Sequence, residues 1–179
     1  MKIIVIGQSG AGKSTMTREL QQLLAVPVLH LDRIWHRLEA TEAGRAVFLA
    51  EQQSFMKNHG EWIIDGNYRG TMGPRMQAAD TIIWLQISRP QAVLRVIKRS
   101  LATRFLGKKR EDMASVFTEK FDREYLAFLK FIWNFPKQSY PGIEELLQRH
   151  GTGKQLIILR SPKEQVRFLA KWKDTYQHR

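Results

Sequence analysis

The chain contains no cysteine. That excludes a disulfide framework and any thiolate metal site. No apolar run approaches the roughly 20 residues of a membrane span. Nothing at the amino terminus reads as a secretory leader, because the chain opens directly on Lys2-Ile3-Ile4-Val5-Ile6. The expectation is a cytoplasmic protein without a membrane partner. There is no internal repeat, no low-complexity stretch and no Pro/Ser-rich linker. His30, His36, His59 and His150 show no metal-ligand spacing. Neither Asn-Lys-x-Asp nor a strand followed by Asp-x-x-Gly occurs, which argues against a GTPase, and a AAA-type motor or helicase needs more chain. Helix-turn-helix and zinc-finger spacings are missing, as is a basic tail. Acids are scarce too: 17 against 29 basic residues, a formal charge of +12. Such a balance points to anionic partners, nucleotide phosphates or nucleic acid, or to a plainly solvated basic surface. At 179 residues, 43% hydrophobic and 26% charged, the chain suits one soluble domain with a sizeable core.

What is present begins at Gly7. Gly7-Gln8-Ser9-Gly10-Ala11-Gly12-Lys13-Ser14 fits G-x-x-x-x-G-K-[ST]. A chance match in a chain of this length has a probability under about one per cent. Its context carries more weight. Lys2 to Ile6 reads as a buried strand. Ser14 to Leu24 spaces Met16, Leu20, Leu23 and Leu24 as one helical face. Strand, glycine-rich turn and helix together make a phosphate site. The backbone amides of Gly7, Ser9, Gly10, Ala11 and Gly12, and the helix start through Ser14 and Thr15, suit phosphate oxygens. The motif implies that Lys13 reaches the β- and γ-phosphates of ATP and that the Ser14 hydroxyl ligates Mg²⁺.

Five apolar runs read as strands: Lys2 to Ile6, Val26 to Leu31, Glu61 to Asp65, Thr81 to Ile87 and Gln155 to Leu159. Pro27 marks the second as an edge or strand start. Helical periodicity covers Ser14 to Leu24, Glu42 to Lys57, Gln91 to Arg104, Val116 to Trp133 and Glu144 to Arg149. A last helix, about Lys163 to Trp172, follows Ser161-Pro162. Continuous apolar strands alternating with helices predict an α/β fold with a five-stranded parallel sheet covered on both faces. The expected architecture is a three-layer P-loop NTPase fold with a helical, basic lid. Residues 1–179 form a single domain, with a helical insert at about 33–59 on the acceptor side and a lid at about 99–135. The stripe Phe117, Phe121, Tyr125, Phe128 and Ile132 reads as core packing, since few basic residues share its face.

Ligands in parallel α/β sheets bind at the carboxyl ends of strands. Asp32 follows the second strand directly and serves either as an active-site carboxylate or as a helix cap. Asp65, ending the third, is the carboxylate placed to hold Mg²⁺ through water beside the phosphate loop; Asp-Gly is also a turn signal. Trp35 reads equally as a wall of the acceptor pocket or as a packing residue. Arg160, after the fifth strand, suits stacking on the adenine base, though backbone contacts serve there as well.

Asp65-Gly66-Asn67-Tyr68-Arg69 resembles the Asp-Gly-Phe-Pro-Arg segment of adenylate kinases, with Asn67-Tyr68 in place of Phe-Pro. The resemblance implies that Asp65 acts on the metal and that Arg69 grips the acceptor's phosphate. Leu29-His30-Leu31-Asp32, Trp62 to Tyr68 and Glu119-Lys120-Phe121-Asp122 extend it over nearly the whole chain. In these the chain resembles the adenylate-kinase-related proteins often labelled DNA topology modulation proteins. Arg95 to Arg110 holds seven basic residues and no acid. Arg95 and Arg99, four apart, share a helical face and resemble the arginine pair that enters the lid of adenylate kinases. That implies a clamp on the transferred phosphoryl group. Arg104, Arg110 and Arg123 are further lid candidates, and Gly107 a candidate hinge.

The leading expectation is therefore an ATP- and Mg²⁺-dependent phosphotransferase acting on a small acceptor, foremost a nucleotide. An anionic nucleotide oxygen needs no base and relies on Arg69. An alcohol, as in shikimate- or gluconate-kinase-like proteins, needs a carboxylate, for which Asp32 stands ready. The rival class is a nucleic-acid-associated regulator that keeps ATP as a structural ligand. Nothing in the sequence fixes an oligomeric state.

Overall fold

Strand β1 (Lys2–Gly7) carries four consecutive residues, Ile3 to Ile6, with no solvent exposure. Such a run is stable as a strand only where both sheet faces are covered. The computed structural model describes residues 1–106 and 123–176 and provides that cover. In chain order, α1 (Lys13–Leu24) precedes β2 (Val28–His30), α2 (Leu31–Trp35) and α3 (Glu42–Asn58). Next come β3 (Trp62–Asp65), a 3₁₀ turn (Arg69–Thr71), α4 (Met72–Ala78), β4 (Thr81–Leu85) and α5 (Arg89–Leu106). Helix α6 (Arg123–His150), β5 (Gln155–Leu159) and α7 (Pro162–Tyr176) complete the chain.

The five strands form one all-parallel sheet in the order β2-β3-β1-β4-β5. Ile3 and Val5 face one way, with Ile63, Ile83 and Leu85, and pack on Met16 and Leu20 of α1 and on Ala92 and Val96 of α5. Ile4 and Ile6 face the other way, with Ile64, Ile82 and Trp84, and pack on Leu31, Ile34, Phe48, Met72 and Met76. Each fully buried side chain of this size contributes about 1.5–3 kcal/mol. Helix α6 serves both faces, through Ile132 on the first and Phe135 and Ile143 on the second.

The expected strands are all present: β5 has the expected bounds, β1 runs one residue further to Gly7, and β2, β3 and β4 are shorter. Strand β2 keeps only three residues and lies at the sheet edge, as Pro27 suggests. Two departures concern helices. α4 is not among the expected helices; its Pro74 falls in the first turn, where the missing N–H costs little. The separate helices at Val116 to Trp133 and Glu144 to Arg149 are one helix over the described part, running through Pro136 and Pro141. Burial of Phe135, Ile143 and the packed Tyr140 outweighs two lost helix donors. In the aromatic stripe, Tyr125 and Ile132 are buried and Phe128 packs on the core, as expected. Phe117, Phe121, Glu119 to Asp122, Gly107, Arg110 and the Arg104 side chain lie outside the described residues.

Candidate active site

Register brings the loops together. Val5 of β1 pairs with Asp65 of β3, and Asp65 with His30 of β2. The turn after β1, Asp32 after β2 and the Gly66–Tyr68 loop after β3 thus leave the sheet at one edge.

The turn Gly7 to Ser14 has the conformation its glycines permit. Gly7, Gly10 and Gly12 have φ of 145°, 80° and 100°. A Cβ on Gly7 would stand 2.3 Å from the Leu85 carbonyl oxygen, and one on Gly10 2.5 Å from that of Ala92. Side chains hold four carbonyls of the turn, three of them from outside it. Asn67 Nδ2 donates to Gly7 O at 2.8 Å, and Gln165 Nε2 of α7 to Ala11 O at 3.1 Å. Longer contacts run from Lys13 Nζ to Gln8 O and from Arg95 Nη1 to Gly10 O, both at 3.4 Å. A peptide's C=O and following N–H point opposite ways in one plane. Held carbonyls at Gly7, Gln8 and Ala11 therefore aim the amides of Gln8, Ser9 and Gly12 away from these donors. Gly12 begins α1 with no side-chain cap, and a helix start is a general setting for an anion. Gln8 is itself buried and donates from Nε2 to Ile87 O at 2.9 Å.

Next to this turn, Asp65 is buried, its Oδ2 3.1 Å from His30 Nδ1. Among the described residues no group of three or more His, Cys, Asp or Glu side chains converges as a metal site. Asp65 and the Ser14 hydroxyl suit a cation that takes few protein ligands and keeps its waters, which is the habit of Mg²⁺.

On the other side, the Tyr68 hydroxyl donates to Asp32 Oδ1 at 2.7 Å. Burial first, then the Asp32 charge, push the Tyr68 hydroxyl's pKa far up, so it remains a donor. The Tyr68 ring packs on Trp35 and Phe48 with centroids 5.2 and 4.8 Å away. Arg75 of α4 anchors the whole loop. It is fully buried and donates to the carbonyls of Gly66, Asn67, Tyr68 and Thr71. Burial pulls its guanidinium down to about 9, against the opposing pull of Asp65, so it is still charged at neutral pH.

The remaining candidates are placed as follows. Arg99 lies one turn beyond Arg95 on α5, partly buried. Ser9 is partly buried in the turn, and Thr15 is exposed on the first turn of α1. Arg123 is exposed at the start of α6. Arg160 is exposed; its backbone N–H donates to Glu164, whose partner Ser161 completes a reciprocal cap on α7. Arg69 lies against α6. Its guanidinium lies over Gly142 of α6, in a groove with Gln138, Pro141 and Glu145. The sequence reading missed Asn67, Arg75 and Gln165. Asn67 was visible only as a departure from Phe-Pro, and an arginine between Met72 and Met76 or a glutamine on α7 carries no signal.

Comparison with solved structures finds the same fold elsewhere. Shikimate kinase from Acinetobacter baumannii in complex with shikimate is similar over 95% of this chain and 89% of its own, at 14% identity and a TM-score of 0.59. A provisionally assigned kinase from Chloroflexus aurantiacus J-10-fl is similar over 99% and 97%, at 16% and 0.57. Deoxyadenosine kinase from M. mycoides with bound dATP is similar over 96% and 98%, at 17% and 0.50. No family model and no curated protein matches. The fold is that of the P-loop kinases: α/β, with a five-stranded parallel sheet.

Proposed function

We propose that the protein is an ATP- and Mg²⁺-dependent phosphotransferase that moves the γ-phosphoryl group to the hydroxyl of a small acceptor. Lys13 and the turn amides bind the triphosphate. Arg95, with Arg99 on the same helix, balances charge that spreads over the group in transfer. Mg²⁺ on Ser14 and, through water, Asp65 would neutralise the β- and γ-oxygens. Asp32 takes the acceptor's proton, and Trp35 and Tyr68 border the acceptor.

The Tyr68–Asp32 hydrogen bond carries the choice of acceptor. A carboxylate fixed at the end of β2 suits a hydroxyl that must lose a proton. The nucleotide-phosphate reading, including kinship with the topology modulation group, rests instead on Arg69, whose guanidinium lies on α6. The nucleic-acid reading has only the charge of +12 behind it. Among the described residues no helix is long and apolar enough to cross a membrane.

The test is ADP release from MgATP over a panel of nucleosides, polyols, hydroxy acids and nucleoside monophosphates. Turnover with a hydroxyl compound that Asp32→Asn abolishes supports the proposal. Turnover only with monophosphates, sensitive to Arg69→Ala, returns the nucleotide reading. A protein that binds no nucleoside triphosphate with magnesium present defeats both.

A further inference from the structure

The register of β1 and β3 leaves Gly7 facing a missing partner. The strands pair Lys2 with Trp62 through Val5 with Asp65, and Gly66 N still donates to Val5 O at 3.2 Å. Two residues on, the same register sets Gly7 opposite residue 67. In a parallel ladder Gly7 N would donate to the carbonyl of 66, and Gly7 O would accept from the amide of 68. Neither rung forms. The chain turns at Gly66 (φ 129°), whose carbonyl goes to Arg75 Nη1 at 3.1 Å, and Tyr68 is left-handed at φ 35°. Asn67 supplies both rungs from its side chain. Its Oδ1 accepts from Gly7 N at 3.0 Å and its Nδ2 donates to Gly7 O at 2.8 Å.

We infer that Asn67 is a positioning residue: its amide replaces the next two rungs of β3, fixes Gly7, and so sets the orientation in which the following turn meets a triphosphate. The functional half of this inference rests on the proposed ATP site. The clamp also ties that turn to the acceptor side. Arg75 Nη2 holds the Asn67 carbonyl at 2.7 Å, and the adjacent Tyr68 holds Asp32. The chemistry is narrow. One planar group must offer a donor and an acceptor at peptide spacing, which the short primary amide does. An ionised aspartate is acceptor-only and turns an oxygen towards the Gly7 carbonyl.

The experiment compares Asn67→Ala and Asn67→Asp with the wild type. Two readouts are taken: hydrogen exchange of the peptide containing Gly7 without nucleotide, and MgATP affinity near pH 8. Exchange at Gly7 should quicken in both variants. Affinity near pH 8 should fall about tenfold or more in both. Asn67→Asp keeps the side chain's volume, so a residue that only fills space would leave this variant near wild type. Unchanged Gly7 exchange in both variants overturns the inference. So does quickened exchange with MgATP affinity kept within about twofold. A wild type that fails to bind MgATP overturns the ATP site, and exchange then decides by itself whether Asn67 holds Gly7.

Discussion

The Tyr68 hydroxyl meets Asp32 Oδ1 at 2.7 Å across 36 positions of sequence, from a backbone held in the left-handed region. A non-glycine residue keeps such a conformation only where its surroundings impose it. Here Arg75 and the rings of Trp35 and Phe48 do so. One carboxylate oxygen of Asp32 is thereby fixed in direction.

Removing the proposed base, Asp32, should therefore cost turnover and spare nucleotide binding. With a hydroxyl acceptor, Asp32→Asn is expected to lower kcat by roughly 10²- to 10⁴-fold. MgATP affinity, read by titration calorimetry, should stay within about twofold. Wild-type turnover in this variant would remove Asp32 from the chemistry.

Lys13 and Arg95 should separate binding from transfer. Saturation with MgATP at 100 times its dissociation constant adds about 2.7 kcal/mol to the wild type. Lys13→Ala should lose most of that gain in a thermal-shift titration. Arg95→Ala should keep most of it and lose about 10³-fold in kcat. Equal effects of the two changes on binding would contradict this division.

Arg75 supports the loop through four carbonyls. Arg75→Met strips donors from the carbonyls of Gly66, Asn67, Tyr68 and Thr71. The Gly66 bond is buried and the other three part-buried; a buried acceptor left unpaired costs about 1–3 kcal/mol, so a loss of about 2 kcal/mol or more is expected in urea unfolding. A loss below about 1 kcal/mol would mean that water replaces the guanidinium.

The cap of α7 should impart an acid-side pH dependence. The Arg160 amide, with the Ser161 hydroxyl and the nearby Arg160 and Arg167 charges, holds the Glu164 carboxyl below its ordinary value. A carboxylate depressed in the folded state stabilises above its unfolded pKa, and that contribution is lost as pH falls through the folded value. Glu164→Gln should therefore melt below the wild type at pH 7, with the gap closing below about pH 4. A gap constant down to that pH would assign the effect to packing.

How much of this was legible depends on the range of the interaction. Ile3 to Ile6 and Trp62 to Ile64 announce buried parallel strands because their side chains need no partner's identity. The Gly7–Ser14 turn is legible because its backbone demands glycine at fixed places. The pairing of Asn67 with Gly7 is not, since it exists only once β1 and β3 are in register 60 residues apart. Arg75 is hidden for the same reason: its acceptors are carbonyls, which every residue carries. The continuity of α6 escaped because Pro136 and Pro141 are local signals, whereas the burial that overrides them is set by a distant sheet.

That same helix bears on how the molecule comes apart. Ile132 is sunk among the residues on one side of the sheet and Phe135, three positions later, among those on the other. Neither layer can dissolve while α6 stays seated in its counterpart. Denaturation should thus be one cooperative event, with the tryptophan environments of Trp84 and Trp172, on opposite layers, vanishing at the same midpoint.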